Sequence, residues 1–112
     1  MSPKEKPLAW LAGEIKTPPF SKDARVEVGY LFRRLQQGEK LTMQESRPMP
    51  GIGKRCHELR IEDEGKWWRI IYRTDSDAIV IAEVFAKKTN TTPKGVINTC
   101  KDRLKRYDNE SS

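Results

Sequence analysis

The sequence predicts a small α+β domain, an antiparallel sheet packed against an N-terminal and a C-terminal helix. Three observations carry this. An apolar stripe of helical period runs over residues 22–37, an alternating two-strand pattern flanks Glu64-Gly65, and a second amphipathic stretch follows Thr92-Pro93. At 112 residues the chain has the length of one domain, taken as 1–112.

Leu8–Ile15 is short and apolar with a polar tail, and reads as an edge strand before Lys16-Thr17-Pro18-Pro19 breaks the chain. Ser21 is a good N-cap, and Asp23 complements the dipole of the first turn. Ala24, Val28, Leu31, Phe32 and Leu35 give the helix over 22–37 its apolar stripe, and Gly38 is placed to end it in the left-handed conformation. From Thr42 to Arg55 two prolines and two glycines predict a loop. Residues 56–73, CHELRIEDEGKWWRIIYR, predict a hairpin turning at Glu64-Gly65. After the turn signal of residues 74–77, AIVIAEVFA reads as a strand covered on both sides, with Glu83 marking a wet patch. Thr92 as N-cap and Pro93 at the first helical position open the last helix, whose stripe is Val96, Ile97, Cys100, Leu104 and Tyr107. The tail DNESS is expected to fray. Three consecutive strands imply a meander whose apolar face both helices bury.

Composition limits function. A net charge of +6 favours an anionic partner: nucleic acid, an acidic protein or anionic lipid. No stretch is apolar enough to span a membrane and the N-terminus does not read as a signal peptide, so the expected location is cytoplasmic, without a membrane partner. Cys56 and Cys100 form neither metal-type spacing nor a disulfide framework, and are expected to be buried thiols.

Strand alternation then sorts the hairpin into two faces. His57, Leu59, Ile61, Trp68, Ile70 and Tyr72 fall on one. Cys56, Glu58, Arg60, Glu62, Trp67, Arg69, Ile71 and Arg73 fall on the other. With Asp63 opposite Lys66, Arg60 faces Arg69, a like-charge pair that costs a few tenths to ~1 kcal/mol. Such a face reads either as solvated ion pairs or as a phosphate-binding surface. Trp67 among the charges, and Lys87-Lys88 at the end of the third strand, favour the second.

Phosphate loops, nucleophile elbows and metal clusters are missing from the sequence, and neither metal nor cofactor is expected. His57 falls with the core residues by parity. If RNA is cleaved here, a 2′-hydroxyl attacks the adjacent phosphate. That reaction needs a proton acceptor, cations around the phosphorane and a donor to the leaving oxygen. Glu58, Arg60, Arg69 and Lys87 or Lys88 are the candidates for those roles, with Trp67, Arg73, Lys54 and Arg55 as RNA-binding residues.

The order ELR, Gly, WRIIYR, IVIAEVFAKKT and a Thr-Pro-opened helix resembles the RelE/ParE/HigB superfamily of type II toxins, in its phage-associated HigB-like branch, over roughly residues 8–107. The resemblance implies a sheet-and-helix domain that cuts mRNA on the ribosome and is restrained by a cognate antitoxin, expected to be a helix-turn-helix protein. By motif, the strand arginine that holds the scissile phosphate corresponds to Arg69, and the following cation to Lys87 or Lys88. The RelE lysine before Leu59 is Glu58 here, and the tyrosine early in RelE's last helix has no counterpart around Lys94. The ParE branch, which inhibits DNA gyrase, shares the fold. A non-enzymatic toxin of that kind, and a basic nucleic-acid-binding regulator, are therefore the alternative readings.

Overall fold

The computed structural model describes residues 6–11, 20–87 and 92–111. Its elements are β1 (Leu8–Trp10), α1 (Lys22–Gln36), β2 (Ser46–Pro48), β3 (Cys56–Asp63), β4 (Lys66–Thr74), β5 (Ile79–Lys87) and α2 (Lys94–Ser111). They form an α+β fold with one five-stranded sheet in the order β1-β5-β4-β3-β2.

The central hairpin has the register that alternation predicts. Asp63 pairs with Lys66, and Arg60 with Arg69. Glu64 and Gly65 both take positive φ, 52° and 78°, the backbone a tight two-residue hairpin turn requires. Helix α1 begins at Ser21, whose hydroxyl accepts from the Ala24 N–H, and ends where Gly38 (φ 87°) reverses the chain. The Gly38 and Glu39 N–H groups then close back onto the Leu35 and Arg34 carbonyls.

Five expectations need correction. The sheet is mixed, because β1 pairs parallel with β5, Leu8 to Trp10 against Ile79 to Ile81. Residues 12–15 of the expected edge strand lie outside the described residues. Within the expected loop, Ser46–Pro48 forms β2 against β3, with Pro48 at a sheet edge, where a missing N–H is tolerated.

The helices also cover opposite faces of the sheet instead of sharing one. Helix α1 packs on Leu59, Ile61, Ile70, Tyr72, Ile79 and Ile81. Helix α2, through Cys100 and Leu104, packs on Cys56, Ile71, Val80 and Ala82. β5 is apolar on both sides and so admits both layers. A register shift between Ile71 and Tyr72 sets Glu83 beside α2, where it pairs with Arg103 at 3.2 Å.

The last two corrections concern α2. It runs to Ser111, so residues 108–111 of the expected frayed tail are helical, and Asp108 bonds to the sheet. At its start the Val96 and Ile97 N–H groups donate to the Pro93 carbonyl, which makes Pro93 the cap. The Thr92 hydroxyl points instead to Glu58 (2.8 Å).

Candidate nucleic-acid interface

The cations gather on the α2 side of the sheet, beyond the part α2 covers. Arg69 lies at mid-strand in β4 and is only 6% exposed. Its Nε is 3.1 Å from Oε1 of Glu58, itself 3% exposed, as a close charge contact without hydrogen-bond alignment. Oε2 of Glu58 accepts from Thr92. Burial pulls the Arg69 pKa down, the Glu58 charge opposes this, and Arg60 and Arg47 push it lower. Arg69 is therefore a buried cation set against Glu58.

The facing arginines share a third partner. The Arg60 and Arg69 guanidinium carbons each lie 5.7 Å from the centre of the Trp67 ring, within cation–π range. Trp67 remains 45% exposed. An aromatic face and the Glu58 carboxylate thus offset the repulsion between the two arginines. Lys87 pairs with Trp67 in the strand register, and Lys88 lies outside the described residues.

Arg47 is a further cation that sequence reasoning missed. It stands opposite Glu58 in β2, and only the pairing of β2 with β3 puts it on this face. Thr92, read as a helix cap, is the other unanticipated contributor. On the free edge of β3 beyond β2, a groove of about 710 Å³ adjoins Trp67 and is lined by Asp23, Glu27, Glu62 and Glu64. Arg60 and Trp67 line the same groove, so cations and acids meet at this edge.

The other predicted RNA-binding residues lie elsewhere. Arg73 shares a face with Arg69 but is four residues along β4, about 13 Å away. It is 8% exposed, and its donors are taken by Asp75 (2.7 and 2.9 Å) and Asp108 (3.0 and 2.6 Å), which raise its pKa. Those bonds make it a clamp between β4 and α2. Lys54 and Arg55 are exposed at the same end of the sheet. His57 stacks on Tyr72 at 5.4 Å, and its Nδ1 lies 3.1 Å from the Arg55 carbonyl, on the α1 side as parity predicts. Burial pushes the Cys56 thiol up, and that of Cys100 up to about 12.

Among the described residues no three His, Cys, Asp or Glu side chains are grouped to hold a metal ion. No described helix is long and apolar enough to cross a membrane. Against known families, residues 18–105 match the model for phage derived protein Gp49-like (DUF891), which covers most of the chain. The chain belongs to that family. Gp49-like proteins are commonly assigned as toxins of toxin–antitoxin systems. No curated protein matches the chain.

Proposed function

We propose that this Gp49-like chain is the toxin of a type II toxin–antitoxin pair and acts as a ribosome-dependent, metal-independent mRNA endoribonuclease related to RelE and HigB. The observation that carries the reading is the half-exposed Trp67 flanked by Arg60 and Arg69. A base stacks on the indole, while the guanidiniums meet the phosphate beside it.

In this mechanism the 2′-hydroxyl gives its proton to a carboxylate, attacks the adjacent phosphorus and expels the 5′-oxygen, which takes up a proton from water, leaving a cyclic phosphate and a 5′-hydroxyl end. Arg69, positioned by Glu58, neutralises the charge that builds on the phosphorane, with Arg60 and Lys87 or Lys88 around it. Glu58, buried against Arg69 and Thr92, serves as a positioning residue. We assign the proton-accepting role to the exposed carboxylate of this face, Glu62, which pairs with Trp67 in the register.

The test is induced expression with mapping of mRNA 5′ ends. New 5′-hydroxyl ends should appear within translated frames. They should vanish in Trp67→Ala and Arg60→Ala, whose side chains lie outside the core. Growth arrest without new mRNA ends would instead favour a toxin that blocks a protein target.

A further inference from the structure

A second cationic site lies on the same side of the sheet, at the Arg73 end. It is a groove of about 420 Å³ between α2 and residues 52–55. Lys54, Arg55, Lys101 and Lys105 are exposed around it, and Ile52 and Leu104 lie buried in its floor. The arrangement is built, not incidental. Arg55 holds a left-handed backbone (φ 63°), unusual for a residue with a side chain. Its carbonyl accepts from the Thr74 N–H at 3.2 Å and meets His57 Nδ1 at 3.1 Å, which fixes residues 54–55 against the sheet. Across the groove, the bonds that Arg73 donates to Asp108 tie down the segment of α2 that carries Lys101 and Lys105.

The carboxylates in the groove and beside it, Asp108 and Asp75, do not cancel its charge. Asp75 and Asp108 are both engaged by Arg73, and Arg55 lies 3.5 Å from Asp75. Two acids thus face two arginines, and the three lysines remain as the net charge. No aromatic side chain lines the groove, so nothing there stacks a base. Lysines are mobile point charges, suited to phosphates irrespective of sequence.

We propose that this groove binds the phosphodiester backbone of RNA, anchoring the strand about 13 Å or more from the Trp67 site along the same sheet face. This assignment rests on the reading of the chain as an RNA-cleaving toxin, and divides its labour: one end of the face stacks and cuts, the other holds.

The experiment measures binding of the full-length protein to a 20-nucleotide 2′-O-methyl RNA, which lacks the attacking hydroxyl, across a range of salt concentrations. Lys54→Ala/Lys101→Ala/Lys105→Ala should weaken binding roughly tenfold or more near physiological salt. The slope of log affinity against log salt should shrink by about 2, because each phosphate contact on a single strand contributes about 0.7. Two RNAs of different sequence should be affected equally. Trp67→Ala should lower affinity with little change of slope, and thermal melting should show every variant folded. A triple variant with unchanged slope, while Trp67→Ala still weakens binding, would overturn the anchoring site alone. Wild-type protein that binds neither RNA would overturn the anchoring site, while the cleavage reading stands or falls separately on the appearance of new mRNA 5′ ends in translated frames. A triple variant that binds RNA normally but loses an acidic protein partner would reassign the groove to protein docking.

Discussion

Arg69 and Glu58 are a buried pair, and this changes what a single substitution reports. Parity alone suggests that Arg69→Ala stays folded because the side chain faces off the α1 core. With Arg69 6% and Glu58 3% exposed, truncating the arginine takes the guanidinium away from a buried carboxylate. The loss is about 3–5 kcal/mol, a large share of a small domain's stability. The informative variant removes both charges. Glu58→Gln/Arg69→Gln should melt near the wild-type temperature yet cleave on the order of 10²–10³ more slowly, as expected for loss of one cation at a developing oxyanion. A folded double variant with full toxicity would take Arg69 out of the chemistry. His57 makes the opposite case. The Arg55 carbonyl can only accept, so Nδ1 carries the proton, and the ring stacks on Tyr72. His57→Gln should lower the melting temperature by the equivalent of about 0.5–1.5 kcal/mol from the lost stacking while leaving cleavage intact. Wild-type melting with cleavage abolished would make the imidazole a catalytic group.

Carboxylates bind the elements together at two points. Asp63 at the end of β3 accepts from the Ser21 N–H (2.7 Å) and hydroxyl (2.6 Å), fixing the start of α1 to the hairpin. Asp108 ties the end of α2 to Arg73. Those bonds hold both carboxyls below the usual range, the Ser21 hydroxyl foremost for Asp63 and Arg73 for Asp108. The unfolded chain therefore binds more protons than the folded one in acid. Stability is fully present above the unfolded carboxylate value of about 3.9 and falls as pH drops through the lower folded values. Acid titration followed by circular dichroism should show a flat plateau above about pH 5 and a decline below pH 4, shallower in Asp108→Asn. A decline as steep in that variant as in the wild type would remove the clamp from the account. These clamps also show where the sequence is legible. Period-two alternation fixed the β3–β4 register, because a one-residue slip would expose Leu59, Ile61 and Ile70 together. β2 escaped because its three residues, one a proline, carry no pattern. Its strand character comes from backbone bonds to β3, 13 residues away for Ser46 and Leu59 in the register. The side on which α2 docks was equally hidden, since β5 is apolar on both. Arg69 and Arg73 look alike in sequence; what separates them is Asp108, 35 residues further on.

At the scale of the molecule, a net charge of +6 is unevenly spread: cations crowd the α2 side, and acids line the groove at the free edge of β3. Such asymmetry orients the protein in the field of a polyanion before contact. It makes the same face attractive to acidic side chains, a route by which an antitoxin can cover its cations. Membership of the Gp49-like family makes an antitoxin the expected partner. Two kinds of surface are available to it. The guanidiniums near Trp67 supply steering. Trp67 itself and an apolar groove between α1 and β1, floored by Trp10, Phe32 and Val84 with Arg25 and Arg33 beside it, supply contacts indifferent to salt. Raising the salt concentration should therefore slow association of the complex several-fold while changing its dissociation little, and Trp67→Ala should do the reverse. Stopped-flow binding with the product of the neighbouring reading frame separates the two effects, and co-expression of that product should restore growth. An association rate insensitive to salt would place the antitoxin away from the cationic face. Neutralisation would then have to come from altering the toxin's shape, or its access to RNA, without covering Arg60 and Arg69.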